Sequence, residues 1–373
     1  MQPETKNILL ASYSARALAA SAARAGYHVY VIDLFEDFDT TALSVASAKA
    51  CADHALRFDK IKLQQAMSSF AGIEFSAVIY GAGFEADTGL LEILNAQNNF
   101  FGNSPELVLN LKHPTTFFGL LHILNMPFPQ VRLTAPSDAD GWLAKTIGAT
   151  GGTHVASAQG VSANDQIYFQ QFEAGRNLSV LFLADGKQSR IVGFNEQLVQ
   201  RVGSSPYCYS GAISHARMPD ELKSQIAAKL DLLVETTGLV GLNAIDFILR
   251  DEKYFVLEIN PRPTATMELY DADFPQGLLH AHVQACEGVL PDAVPGEQTI
   301  RGHQIVWAQQ NTRVPATFSF PRWCADIPQP GSFIAQGAPL CSVLADAHDY
   351  DETLRLLERR SAEIQIQLLE LAA

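Results

Sequence analysis

Short apolar runs alternate with stretches of helical periodicity through the first hundred residues. Asn7 to Ala11 reads as a strand, Ser12 to Ala15 as a loop, and Arg16 to Ala25 as a helix. Gly26 is placed to cap that helix, and Tyr27 to Asp33 forms a second, β-branched run. A variable loop (34–41) leads to a further helix, a weak strand near 55–58, and a helix over 60–70. Ser76 to Tyr80 then forms a strand that ends in Gly81-Ala82-Gly83-Phe84-Glu85, with another helix after it. Near-continuous apolar strands joined by helical crossovers predict a parallel sheet covered on both faces. Lys6 ahead of Ile8-Leu9-Leu10 also fits a signal or transit peptide, but the glycine and the second strand favour a βαβ unit.

Gly102-Asn103-Ser104-Pro105 punctuates the chain. The stretch over 106–290 reads α+β, with helices at 106–125 and 219–237. The second helix has an apolar stripe of Leu222, Ile226, Leu230 and Leu233, with Gly238 past its end. Residues 291–345 are rich in Pro, Gly and short β runs. Asp349 and Glu352, at capping-box spacing, open a terminal helix with a stripe of Leu354, Leu357, Ile364, Leu368 and Leu371. The expected division is an N-terminal α/β domain (1–105), an α+β domain with two lobes (106–290), and a small C-terminal β lobe plus terminal helix (291–373).

Composition narrows the function. The 373 residues are 47% hydrophobic and 18% charged, which is ordinary for a globular chain with a sizeable core. Lys and Arg total 26 against 40 Asp and Glu, and no basic run occurs, which argues against nucleic acid as the main partner. No apolar run reaches the roughly 18 residues needed to span a bilayer. Cys51, Cys208, Cys286, Cys324 and Cys341 are odd in number and never in CxxC spacing, which points to a reducing, cytoplasmic setting rather than a disulfide framework or zinc knuckle. A nicotinamide-binding Rossmann domain would explain Asp33 after the second strand. The first turn, Ser12-Tyr13-Ser14-Ala15-Arg16, lacks the glycines that admit a pyrophosphate.

The strongest chemical signal is a hairpin. Gly241 to Arg250 forms one strand, Asp251-Glu252-Lys253 the turn, and Tyr254 to Asn260 the other, followed by Pro261-Arg262-Pro263. Alternation sends Glu258 and Asn260 to one side and Leu257 and Ile259 to the core, and Asp246 can meet the polar pair across the ladder. Two carboxylates and an amide oxygen make a hard oxygen site suited to Mg²⁺, with Mn²⁺ as the alternative. Scattered acids on an exposed strand are the plainer reading, but they leave the adjoining Pro-Arg-Pro turn unexplained. Upstream, Trp142 to Lys145 is a short strand before Gly148-Ala149-Thr150-Gly151-Gly152-Thr153-His154, a loop able to close over phosphate oxygens. Lys112, before His113-Pro114, is a second candidate phosphate lysine. Tyr168 to Gly175 is an apolar strand running into a bend whose backbone can read an adenine edge, with Gln170 or Asn177 near the ribose.

In this order and spacing the segments resemble the ATP-grasp superfamily over about 106–290, behind the α/β domain such proteins usually carry. The resemblance implies ATP and Mg²⁺ as cofactors. Lys112 and Lys145 match the phosphate-binding lysines, and Gly148 to His154, including Gly151 and Gly152, the mobile glycine loop. Gln171, Phe172 and Glu173 match the adenine hinge, and Asp246, Glu258 and Asn260 the metal ligands. Lys145 and Arg262 then carry the catalytic charge. Thr146 stands where proline often follows the lysine, and Gln170 and Asn177 where glutamates are common.

The stretches Gly193 to Gln197, Ser205 to Gly211 and Asn260 to Glu268 look like the carboxylate–amine ligases of small-molecule and cofactor biosynthesis, tyramine–glutamate ligase-like proteins of one-carbon carrier pathways among them. That likeness implies an ADP-forming reaction through an acyl phosphate, with a small carboxylate and an amine as partners; a homodimer is the commonest assembly for enzymes of this size. Gln197, Tyr209, Ser210 and Gly211 are its candidate substrate contacts. A carboxylase- or kinase-like enzyme, or a nucleotide-binding regulator without turnover, are the alternatives.

Overall fold

The early alternation builds a parallel sheet. The structure, a computed structural model, describes residues 6–51, 56–294 and 299–372, with side chains up to 368. Strands β1 (Asn7–Ala11), β2 (His28–Asp33), β3 (Ala46–Lys49), β4 (Ala77–Tyr80) and β5 (Phe100–Phe101) pair in parallel, in the order β3-β2-β1-β4-β5. Helices α1 (Arg16–Arg24), α2 (Phe38–Leu43), α3 (Lys60–Ser69) and α4 (Thr88–Asn95) connect them. Ile8, Leu10, Val29 and Val31 enter one core while Leu9, Ala11 and Ile32 enter another, so both faces are covered, as the unbroken apolar runs require.

Two details depart from expectation. The third parallel strand is Ala46–Lys49, not a run near 55–58; Ala55 lies outside the described residues, and Phe58 makes only an isolated bridge to Cys51. Ala-Ser-Ala-Lys has little strand character of its own and becomes a strand by pairing with β2 over Tyr30 to Asp33. The helix expected over 106–125 is two helices, α5 (Pro105–Lys112) and α6 (Pro114–Ile123). Pro114 cannot donate to the α5 ladder and drives His113 into extended backbone, so α5 ends at Lys112.

A four-stranded antiparallel sheet follows. It comprises β6 (Val131–Arg132), β7 (Trp142–Thr146), β8 (Val155–Ser157) and β9 (Ile167–Gln171), ordered β6-β9-β7-β8. The remaining long strands are β10 (Arg176–Asp185), β11 (Ser189–Val202), β12 (Ser205–Ser214), β13 (Val240–Arg250), β14 (Lys253–Asn260) and β15 (Ile300–Trp307). After the short β16 (Thr312–Arg313) come β17 (Cys324–Ala325), β18 (Phe333–Ile334) and β19 (Pro339–Ala347). Eight of these strands form one sheet in the order β14-β13-β10-β11-β12-β15-β19-β17, while β16 and β18 pair separately. The C-terminal strands thus extend the sheet that carries the predicted hairpin.

Helices cover this sheet on both sides. The stripe of α7 (Asp220–Thr237) packs with Leu178, Val180 and Phe182, and Gly238 ends it in the left-handed region at φ 72°. Short α8 (Glu268–Asp271) and α9 (Leu278–Cys286) join the opposite face, with Leu181 and Leu183, to the core of the parallel sheet. In α10 (Tyr350–Ala372), Leu357, Ile364 and Leu368 pack on Val306 and Val343; the side chain of Leu371 lies outside the described set. Asp349 accepts from the Glu352 amide at 2.8 Å, the cap its spacing predicted. Among the described residues no helix is long and apolar enough to cross a membrane.

One buried histidine fixes how α9 meets β13. His282 Nδ1 accepts from the Leu242 amide at 2.8 Å, and a side chain at Gly241, where φ is 66°, would run into the ring. Burial pushes this imidazole down to about 4, so the fold holds it neutral while the unfolded chain protonates near 6.5. Between those values the unfolded state binds the extra proton, and stability falls as pH falls. His282→Gln is expected to flatten the acid limb of a denaturant-unfolding series, removing up to about 1.4 kcal/mol of slope per pH unit between pH 6.5 and 4.

Candidate nucleotide and metal site

The hairpin β13–β14 carries the centre of the site. Asp246 lies opposite Glu258, and Ala244 opposite Asn260. The register slips here, since Phe247 pairs with Val256, and Leu257 is the extra residue of a β-bulge. Tyr254 and Val256 enter the core before the bulge, and Ile259 enters the same core after it. Leu257 does not face that core as simple alternation predicts; it is half-buried and lines a pocket beside Glu258. Paired regularly, the same sequence would put Glu258 on the apolar face of Tyr254 and Val256.

Lysines from two other elements meet this edge. The break after α5 leaves Lys112 at a helix end, where Nζ donates to Glu258 Oε2 and to the Ile259 carbonyl, both at 3.0 Å. Lys145 on β7 is 9% exposed and donates to the Gln170 amide oxygen, its diagonal neighbour on β9. Burial opposes charge on Glu258, but Lys112, Lys145 and His154 outweigh it and hold the carboxyl down at about 2. Asp246 moves the other way: burial and the Glu258 charge push it up to about 7. It accepts from Gln197 Nε2 at 2.9 Å and Asn260 Nδ2 at 3.1 Å. Among the described residues no three His, Cys, Asp or Glu side chains converge, so the donor set is two carboxylates and an amide.

The glycine loop closes one side of the pocket, which Lys112, Thr146, Gly148, His154, Tyr168 and Glu258 line. The loop is docked by three hydrogen bonds to two segments, β12 and the turn after β14. The Gly151 carbonyl accepts from the Tyr209 amide at 3.0 Å, the Thr153 carbonyl from Ser205 Oγ at 3.1 Å, and Thr150 Oγ1 from Arg262 at 3.2 Å. A Cβ at Gly148 would stand 2.4 Å from the Glu85 carbonyl, and one at Gly152 1.9 Å from the Tyr207 carbonyl. Both glycines also have φ above 70°, so this approach requires glycine twice over. Two buried polar atoms beside the pocket, His154 Nδ1 and Gln170 Nε2, have no protein partner, and burial pushes the His154 imidazole below its ordinary value. Unfilled hydrogen-bonding capacity next to two lysines fits a phosphate-bearing ligand.

The other expected residues fall into two groups. Gln171 and Phe172 are exposed at the end of β9, and Glu173 is bonded to Arg250. Asn177, half-buried on β10, pairs with Ile248. Gln170 points inward to Lys145. Gln197 reaches the site through Asp246, whereas Tyr209 bonds His303 Nε2 at 2.8 Å and buried Ser210 accepts from Trp307 Nε1 at 3.2 Å. Gly211 lies where a Cβ would strike the His303 carbonyl, so it serves the β12–β15 contact.

Arg262 is 5% exposed and ion-paired with Glu85, which lies in the loop after β4. It also donates to Asn260 Oδ1 at 3.3 Å and the Pro263 carbonyl at 3.1 Å. Glu85 resists burial because Arg262 and Lys112 favour its charged form, and it accepts the Gly83 and Phe84 amides at 2.8 and 3.0 Å. Sequence reasoning named this loop but gave Glu85 no role. The usable signal was its place at the carboxyl end of a central parallel strand, where open α/β sheets put their sites.

A parallel α/β sheet, a small antiparallel sheet bearing a glycine loop, and a large sheet with two carboxylates frame the site. Residues 117–266 match the family described as the ATP-grasp domain. Among solved structures, biotin carboxylase from Campylobacter jejuni superposes with a TM-score of 0.74 at 14% identity, over 95% of this chain and 90% of that one. L-amino acid ligase from Bacillus licheniformis gives 0.70 at 14% identity, over 97% and 98%. An uncharacterized protein of Methanocaldococcus jannaschii is 23% identical over 180 residues, 48% of this chain and 42% of its own length. The match thus spans less than half of that relative.

If the docked loop depends on bare glycine, Gly152→Ala should lift it. Limited proteolysis is expected to cut within 147–154 several-fold faster than in the parent protein, while the global unfolding midpoint stays put because the core clusters do not include the loop.

Proposed function

We propose that this protein is an ADP-forming ligase that moves the γ-phosphoryl group of ATP to a substrate carboxylate and lets an amine displace the phosphate. The observation that carries the reading is the half-buried cross-strand pair Asp246–Glu258, beside Lys112 and Lys145 under a docked glycine loop. Asp246, Glu258 and Asn260 are the residues that would hold Mg²⁺, or Mn²⁺ in its place. The donor chemistry fits, because a second carboxylate beside Glu258 leaves negative charge that a divalent cation can accommodate. When bound, the cation supplies neutralisation of triphosphate charge.

The protein's own groups do the rest. Lys112 and Lys145 place fixed positive charge where negative charge accumulates on the transferring phosphoryl oxygens. His154 and Gln170 offer their unpartnered atoms to the nucleotide, with Gln171, Phe172, Glu173 and Asn177 as the hinge set. Arg262, clamped by Glu85, holds Asn260 and the loop residue Thr150 in one frame. A carboxylate is a poor electrophile at neutral pH, and phosphorylation gives it a leaving group. Loop residues 148–154 then keep water from the acyl phosphate until the amine arrives. The L-amino acid ligase fold neighbour supports this chemistry. The biotin carboxylase neighbour favours one rival, phosphorylation of bicarbonate, which would show ADP release that needs bicarbonate and no amine. The reading carries with it a cytoplasmic protein acting on small molecules.

Glu258→Gln and Asn260→Ala are expected to lower ADP release in a screen of amino acids paired with aromatic and aliphatic amines by at least about a hundredfold. Their unfolding midpoints should stay within about 1 kcal/mol of the parent. Global unfolding of both variants would make the hairpin structural and the reading wrong.

A further inference from the structure

Charge reverses along the interior away from the lysines. At the carboxyl ends of β1 and β2, Arg16 is ion-paired to both Glu268 and Asp326, with Asp39 at 4.0 Å. Ser14 donates to Asp326 at 3.0 Å, and Arg16 to the second Glu268 oxygen at 2.7 Å. Asp37 stands in the field of Asp326, Asp33 and Asp39 as well as Arg16, and burial together with those charges pushes its carboxyl well up. Four acids (Asp37, Asp39, Glu268 and Asp326) thus share one guanidinium, with Asp33 close to Asp37. A carboxylate has about four acceptor sites, so Glu268, with two bonds from Arg16, retains capacity, while Asp326 is also held by Ser14 and Ser342.

His303 is the independent sign of a ligand. It is 4% exposed, the charges acting on it are those of Glu268, Asp326 and Arg16, and its Nδ1 has no hydrogen-bond partner. Its other nitrogen is bonded to the Tyr209 hydroxyl, and Tyr209 lies in the field of both Asp246 and Glu268. A polar path therefore runs from the carboxylates of the hairpin, through Tyr209 and His303, to the acidic cleft. The cluster follows the carboxyl end of β1, which borders β4 where the strand order changes direction and open α/β sheets bind their ligands.

We propose that this cleft binds the ammonium group of a primary-amine substrate, with Glu268 and Asp326 accepting from it and His303 Nδ1 as its third partner. The proposal rests on the ligase reading and specifies its second substrate. The cationic end of the interior receives the nucleotide and the carboxylate to be phosphorylated, and the anionic end receives the amine. Arg16 supports the cleft by holding the two acids apart in fixed positions, which a single carboxylate on a flexible turn could not maintain.

The test is calorimetric titration of the full chain, saturated with MgADP, using butylamine, phenethylamine and 1,4-diaminobutane against butanol and butyrate. At least one amine should bind while butanol and butyrate do not, and Glu268→Gln and Asp326→Asn should each weaken it about tenfold, the worth of one charge-assisted hydrogen bond. MgADP affinity should be the same in both variants as in the parent, which also reports that they are folded; if one variant fails to fold, the other carries the test. Butyrate binding in place of the amines, equal binding of amine and alcohol, no amine binding, or amine affinity unchanged in a folded variant would each overturn the cleft assignment. Failure of the parent protein to bind MgADP at all would instead overturn the ligase reading.

Discussion

The buried ion pair between Arg262 and Glu85 ties the parallel sheet to the turn after the ligand hairpin. Both side chains are almost wholly out of water, so either one alone would be an uncompensated buried charge. The guanidinium sits at the turn after β14, the carboxylate in the loop after β4, and Tyr80 and Asn103 reinforce the link by donating to the Pro261 carbonyl, each at 2.8 Å. Everything at the nucleotide end is referenced to this junction. Asn260 and Thr150 are bonded to Arg262, and Gly148 lies against Glu85 itself. Strand β14, the glycine loop and the parallel sheet therefore hold one relative position.

Much of this was legible in the sequence because it depends on local pattern. The parallel strands announce themselves as apolar runs, Gly238 and Asp349 mark helix ends by known stereochemistry, and the hairpin is a clear alternation around an Asp-Glu turn. The site residues that could be named, Lys112, Lys145, Asp246, Glu258 and Asn260, lie in segments whose order and spacing resemble a known superfamily. In the structure Lys112 reaches Glu258, and Asp246 reaches Asn260.

What escaped is what tertiary context decides. Ala46–Lys49 has no intrinsic strand signal and is recruited by the edge of β2. Leu257 looks like any core leucine until its partner strand shows that one residue has no opposite number. Glu85, Arg16, Asp326 and His303 lie up to about three hundred positions apart along the chain, and only the packing of the first sheet against α8 and the C-terminal strands gives them common surroundings.

The bulge at Leu257 has a wider consequence. Side-chain parity along β14 is even-inward near the turn and odd-inward near Asn260, so one short strand serves as anchor at one end and as ligand shelf at the other. Regular pairing of the same sequence would turn Glu258 toward the α7 core and Ile259 toward solvent, so the irregularity, as much as the residue types, decides which side the acid serves.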